Sequence, residues 1–182
     1  GVNGLGKTTL LKTILGLLKP VSGELTKGDF LEVGYFAQED APSNSETALD
    51  YIWNEYPAMT NAEVRTALAR CGLSNEHITS QMRVLSGGEN AKVRLCKLMQ
   101  KKYNVLVLDE PTNHLDIKYQ LEIMDIVKSL NATVVAAVHD LNIAAMYCDR
   151  LVAIKDGRVV GVGTPKELLT EEFIYKCEKQ RK

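Results

Sequence analysis

The sequence contains no apolar run approaching the roughly 20 residues that cross a bilayer, and no secretory leader. Its four cysteines (Cys71, Cys96, Cys148, Cys177) are far apart and form no CxxC pair. That spacing argues against a zinc site or a disulfide framework and favours a reducing, cytoplasmic setting. Excess charge is also lacking: the formal net charge is -1, so global charge points to neither nucleic acid nor an acidic membrane. Internal repeats and low-complexity segments are absent. At 182 residues, 45% hydrophobic and 25% charged, the chain suits one globular domain and is short for two. It opens on Gly1 rather than Met, inside a motif. The expectation is a fragment whose N-terminal strands lie upstream, leaving the sheet with an open, apolar edge or gap beside residues 105–108.

Hydrophobic periodicity predicts a helix over about 8–18, with Leu11, Ile14, Leu15 and Leu18 on one face. A strand is expected over 30–36, ending near Gln38, and then a polar loop over 39–45. From 46 to 102 the pattern is helical. Thr60 and Glu63 form a capping box, Val64, Ala67, Leu68 and Cys71 a buried stripe, and Gly72 a helix stop. Residues 105–108 and 133–138 are short apolar runs without alternation, as in strands buried on both faces. Ile117, Leu121, Met124 and Val127 mark an amphipathic helix between them. Residues 151–154 and 158–162, joined through Asp156-Gly157, read as a hairpin. The fold class is α/β: a mainly parallel sheet flanked by helices, with a helical subdomain over about 46–102 inserted.

Gly1 to Thr8 fits the phosphate-binding pattern GxxxxGK[ST], followed at once by a helix. Successive backbone N–H groups of such a glycine-rich turn converge on phosphate oxygens, and the helix N-terminus adds positive potential. Asn3, Gly4, Gly6, Lys7, Thr8 and Thr9 form the candidate phosphate site for ATP. Lys7 reaches the β- and γ-phosphates, and the Thr8 hydroxyl ligates Mg2+. The run from Leu106 to Glu110 supplies the matching half: a buried strand delivers Asp109 to the metal, and Glu110 polarises the attacking water.

Leu85-Ser86-Gly87-Gly88-Glu89 opens a helix running to about 102. Ser86 and Glu89 form a capping box. The glycines have no such reason to be there, since each costs about 1 kcal/mol against Ala inside a helix. Bare amides at Gly87 and Gly88 suit a close anionic ligand.

These motifs, in this order, resemble the ATP-binding cassette (ABC) ATPases, whose signature is LSGG[QE]. The resemblance covers the whole chain. It implies a P-loop NTPase fold and a head-to-tail pair of cassettes, with Ser86, Gly87, Gly88 and Glu89 acting on ATP held by a second ABC domain. It further implies that Gln38 senses Mg2+ and the coupling partner, that Asp116 lies at the dimer seam while also serving as a helix N-cap, and that His139 is a switch histidine near the γ-phosphate. His77 and His114 are read as structural.

Two subfamilies are visible. Up to about Asp116 the chain looks like the soluble ABC-F proteins that act on the ribosome, through residues 33–38, 49–53, 67–73 and 88–95. Beyond Asp116 it looks like the ATPases of iron-siderophore and vitamin B12 importers, through 138–150, 155–158 and 163–165. A mosaic joined within the shared stretch 108–116 is one reading. The helical segment is ABC-F-like, which favours a ribosome partner over a membrane permease. A non-catalytic nucleotide-binding fragment is a third possibility. Lys92, Arg94, Lys97, Lys101 and Lys102 form a basic helix, either solvated or facing RNA phosphates.

Overall fold

The computed structural model describes residues 6–37 and 45–179. Asn3, Gly4, Gln38 and nearly all of the expected polar loop lie outside the described residues. Along the chain run α1 (Lys7–Ile14), β1 (Val33–Phe36), α2 (Ala48–Trp53), α3 (Asn61–Arg70), α4 (Asn75–Thr79), a 3-10 turn (Met82–Val84) and α5 (Gly87–Leu98). There follow β2 (Val105–Asp109), α6 (Ile117–Lys128), β3 (Thr133–Ala137), α7 (Leu141–Tyr147), β4 (Leu151–Lys155), β5 (Arg158–Gly163), α8 (Pro165–Leu168) and α9 (Glu171–Lys179). The chain divides into two units: residues 1–27 with 137–182, and residues 28–136.

In the unit spanning 28–136, β1 and β2 pair in parallel, from Val33 opposite Val105 to Phe36 opposite Leu108. Strand order is β1-β2-β3. Parallel neighbours need a long crossover, and α2 to α5 supply it. Helix starts in this unit are set by side-chain oxygens that accept first-turn amides: Thr47, Thr60, Ser74, Ser86 and Asp116. The Thr60–Glu63 box forms as expected, and Gly72, at φ +76, follows the last residues of α3.

Two apolar clusters fill this unit. One joins Ile52, Val64, Leu68, Ile78 and Met82 to Val93 and Cys96 of α5. The other joins Phe36, Leu106, Leu108, Ile123 and Val127 to Ala91 and Leu95 of the same helix. Thus α5 is buried on two sides, once by the helical layer and once by the sheet layer.

Three features depart from the sequence-based expectation. First, β1 starts at Val33. Phe30 has φ +63 and is 94% exposed. The Asn104 amide donates to Phe30 O (2.8 Å) and accepts from Glu32 N–H (2.9 Å), taking backbone groups that strand pairing would otherwise use. Second, β3 alternates: Val134 and Ala136 pack on the sheet-side cluster, whereas Thr133 and Val135 are exposed. Only one face of this strand has a packing partner within its unit. Third, β2 has neither an open edge nor a gap beside it, because β1 and β3 flank it on both sides.

In the other unit, α1 is shorter than expected. Gly16, at φ +78, stops it: Gly16 N–H donates to Thr13 O and Leu17 N–H to Lys12 O, both at 2.9 Å. This is the left-handed glycine closure of a helix end. Leu11 alone of the expected stripe is deeply buried, and Leu18 lies past the helix, 43% exposed. Strands β4 and β5 form the expected antiparallel hairpin. Asp156 (φ 48) and Gly157 (φ 73) both take positive φ, the type I′ pattern whose twist suits a two-residue turn. Phe173 and Leu168 pack over Gly161, where an added Cβ would come within 2.8 Å of the Phe173 ring.

Among the described glycines, Gly88 leaves the least room for a side chain. A Cβ there would sit 2.2 Å from Cγ of Tyr119 on α6, so glycine is a packing requirement at this point. Gly88→Ala is therefore expected to destabilise the protein by about 1–3 kcal/mol, the usual range for overpacking. Urea unfolding checks this, and pairing it with Tyr119→Leu is expected to restore part of the loss.

Candidate functional site

Lys7, Thr8, Thr9 and His139 belong to the unit containing α1 and α7. Gly6 is the N-cap of α1, with φ 78 and no side-chain cap. An added Cβ there would meet nothing within 4 Å, so glycine serves the left-handed backbone rather than making space. Gly6 has no side chain with which to cap α1, unlike the N-cap residues of α2 to α6, and a glycine-led helix start suits an anion. Lys7 Nζ lies 3.4 Å from His139 Nδ1, although the two residues are 132 positions apart. The sequence assigns both to the γ-phosphate, and the fold brings them to one place. His139 is placed by α7: the next residue, Asp140, caps that helix by accepting from Asn142 N–H (2.7 Å) and Ile143 N–H (3.2 Å).

Asp109, Glu110, Ser86 to Glu89 and Asp116 belong to the other unit. Asp109 ends β2 and is fully buried. Its Oδ2 accepts from the Tyr35 hydroxyl of β1 at 3.2 Å. Glu110 is 9% exposed and has φ 52, an uncommon backbone state for a residue with a side chain. Asn113 holds it, donating from its side chain to Glu110 Oε2 (2.9 Å) and from its backbone to Glu110 O (3.1 Å). Asp116 caps α6 by accepting from Tyr119 N–H at 3.1 Å.

At the start of α5, Ser86 N–H donates to Glu89 Oε2 (2.8 Å) and Glu89 N–H to Ser86 Oγ (3.3 Å). Gly87 is exposed, with Leu115 beside it, and Gly88 lies under Tyr119. The signature glycines therefore rest against the segment around Asp116. The Tyr119 hydroxyl donates to Glu89 Oε1 at 3.1 Å, and His77 Nε2 lies 3.4 Å from the same oxygen. His77, read as structural from sequence, does cap α4 with Ser74, and it also touches the signature glutamate.

Tyr35, Asn113 and Tyr119 grip the candidate residues without belonging to any spacing rule. Their partners were legible; these three were not. The basic stretch is corrected in part: Lys101 and Lys102 are exposed and lie past the end of α5, whereas Lys92, Arg94 and Lys97 are drawn inward. Lys92 is 5% exposed, bonds Glu122 and lies over the Tyr119 ring. Lys97 pairs with Glu55 at 2.7 Å and sits 4.1 Å over the Tyr51 ring, and Lys101 lies 3.7 Å from Glu55. Arg94 and Lys97 line a groove rather than standing on a bare solvated stripe. That groove, of about 320 Å³, includes Ala37, Tyr51, Tyr56, Arg94, Lys97 and Tyr103. The Lys97 hydrogen bond holds the Glu55 carboxyl below its ordinary value, and burial pushes the Tyr56 hydroxyl up to about 12.

Of the candidate Mg2+ ligands read from the sequence, the Thr8 hydroxyl in one unit and the Asp109 carboxylate in the other each offer the hard oxygen that Mg2+ prefers. Among the described residues no helix is long and apolar enough to cross a membrane.

A phosphate-type helix start with Lys7, a buried strand ending in Asp109-Glu110, and a glycine-opened α5 together define an ATP-binding cassette. Residues 1–113 match the family described as ABC transporter, and the chain belongs to that family. It is 47% identical over 140 residues to the uncharacterized ABC transporter ATP-binding protein YfmM of Bacillus subtilis, covering 77% of this chain and 27% of that protein. It is 34% identical to the cobalamin import ATP-binding protein BtuD of Halobacterium salinarum, covering 96% of this chain and 49% of that protein. Against ABC transporter F family member 5 of Arabidopsis thaliana it is 35% identical over 86% of this chain and 23% of that protein. The chain thus spans between about a quarter and a half of these relatives' lengths. The solved structure of cbiO1 from Clostridium perfringens, part of the complex cbiONQ, superposes with TM-score 0.74 at 30% identity, covering all of this chain and 81% of that one. The dimeric cassette MJ0796, bound to ADP and Pi in a post-hydrolysis state, gives TM-score 0.72 at 25% identity, covering 88% and 81%. The domain is of the ABC ATPase type.

Glu89 supplies a pH test. Burial raises its carboxyl, but the hydrogen bonds from Ser86 and Tyr119 and the nearby His77 outweigh burial and bring it below its ordinary value. A carboxyl depressed in the folded state contributes stability above the unfolded value of about 4.3 and loses it as pH falls through the folded value. Unfolding measured across pH 3 to 7 (about this window) is expected to show a drop at the acid end, and Glu89→Gln to flatten it.

Proposed function

We propose that this chain is one cassette of a soluble, cytoplasmic ABC-F-type ATPase that works with the ribosome, binding and hydrolysing Mg-ATP across a head-to-tail pair of cassettes. The convergence of Lys7 on His139 supports the nucleotide half of this reading. Lys7 holds the β- and γ-phosphates, with Asn3, Gly4, Gly6 and Thr9 contributing along the loop and first turn. Thr8, Asp109 and Gln38 hold Mg2+. When bound, the ion neutralises phosphate charge and fixes the phosphoryl oxygens. Glu110 orients or deprotonates water, and His139 meets the γ-phosphate. Ser86, Gly87 and Gly88 close on ATP held by the second ABC domain, with Asp116 at the seam. The helical subdomain over about 46–102 belongs to the same cassette as the strands.

Support for the ribosome partner is the F-family likeness together with the ABC-F-like residues in β1, α2, α3 and α5. A second reading, the ATP-binding subunit of a siderophore or vitamin B12 importer docking on a permease, has comparable support: the BtuD likeness covers 96% of the chain. The family match ends at residue 113, close to the join of the mosaic reading. Sequencing the source DNA across that join tests the mosaic, which two separate parental genes with no joined one would remove.

In the full-length protein, Lys7→Ala is expected to abolish ATP binding. Glu110→Gln is expected to keep binding and lower turnover by about 10²–10⁴-fold, the usual loss of a general base. With ATP, Glu110→Gln should elute as a dimer on size exclusion, and Ser86→Arg should return it to monomer. Turnover of Glu110→Gln at the parental rate would exclude the role given to Glu110. Partner choice is read by co-sedimentation with ribosomes, expected, against ATPase stimulation by permease vesicles, which would favour import instead.

A further inference from the structure

We infer that His77 is a positioning residue for the start of α5: its Nε2–H steadies the Glu89 carboxylate, which in turn holds Ser86. The backbone decides which ring nitrogen carries the proton. Ser74 N–H donates to His77 Nδ1 at 3.3 Å, so Nδ1 acts as an acceptor. In the neutral ring the proton then sits on Nε2. That nitrogen lies 3.4 Å from Glu89 Oε1, and a carboxylate can only accept. The bond that caps α4 thus also turns a donor toward α5.

Both sides of the contact have a firm mount. Ile78, next to His77, is 1% exposed within the helical-layer cluster, which anchors α4. Glu89 Oε1 also receives the Tyr119 hydroxyl of α6 at 3.1 Å, and Oε2 receives Ser86 N–H at 2.8 Å. One carboxylate therefore gathers α4, α6 and the residue that opens α5. Its two oxygens share one plane, so fixing Oε1 aims Oε2 at the Ser86 amide, and Gly87 follows directly. The effect on turnover rests on the proposed signature role of Ser86 and Gly87, whereas the hold on Glu89 does not.

Two substitutions in the full-length protein separate capping from positioning. Glu and Gln are both capping-box residues at this place in a helix, so His77→Glu and His77→Gln each keep an acceptor for Ser74 N–H. Toward Glu89 they differ: Gln brings an amide N–H, and Glu brings a second carboxylate. Hydrogen exchange over 74–79 is expected to stay parental in both. Over 85–90 it is expected to quicken in His77→Glu and to stay near parental in His77→Gln. Turnover is expected to fall about 3–10-fold in His77→Glu, as for a partly exposed contact turned from attraction to repulsion, and to stay within about twofold in His77→Gln. In a Glu89→Gln background the gap between the two variants is expected to close, since the clash has gone. Equal exchange and turnover in the two variants would reduce His77 to a helix cap and overturn the positioning role. A gap that persists in Glu89→Gln would overturn it too, as would faster exchange in His77→Glu with parental turnover. Ser86→Arg, run in parallel, is expected to stop turnover. Parental turnover there would remove the signature role and with it the effect of His77 on rate, while the exchange difference still reads the hold on Glu89.

Discussion

Helix α5 has to satisfy two cores at once, and much of the unit spanning 28–136 depends on that. Val93 and Cys96 serve the helical layer, Ala91 and Leu95 the sheet layer, and Gly88 meets Tyr119. A helix buried on one side can slide or roll at modest cost. One packed on both sides moves only with its neighbours, because interiors have few voids to absorb a shift. The capping box at Ser86 fixes where the helix begins, and the Gly88 contact fixes how deeply it sits against α6. The most exposed signature residues, Ser86 and Gly87, are thus mounted on one of the most constrained elements of the unit.

The same constraint explains the charges. A cation on a helix buried on two sides has to find a partner or lose its hydration without return. Lys92 takes the Glu122 carboxylate and the face of Tyr119, and Lys97 takes Glu55 and the face of Tyr51. Counting basic residues along the sequence gave a stripe. Folding turns Lys92, Arg94 and Lys97 into internal pairs and one wall of a groove and leaves Lys101 and Lys102 exposed.

What was legible in the sequence is what is local. Capping boxes, the Asp156-Gly157 turn, the start of α1 and the strand before Asp109 all rest on bonds within about four residues, or on one strand's apolar run. The approach of Tyr35 to Asp109 spans 74 residues and that of Tyr119 to Glu89 spans 30. Such contacts depend on crossover geometry, which no short spacing encodes. Gly88 is instructive because the sequence marks it as unusual for a helix, yet its reason, a ring from α6, lies far along the chain. Likewise 133–138 is apolar enough for a strand buried on both faces. Its alternating exposure depends on which layers its unit provides.

Glu110 carries a backbone cost that Asp109 beside it does not. A left-handed backbone at a residue with a Cβ is disfavoured by about 1–2 kcal/mol, and here the acid keeps that state under the hold of Asn113. Stability alone would choose glycine or asparagine at this position. On the role proposed for Glu110, lineages in which the cassette stops turning over nucleotide would be released from the acid but not from the turn. Drift there should run toward residues at ease with positive φ, leaving Asn113 without its carboxylate partner. In that way the backbone angle would outlast the chemistry as a trace of it.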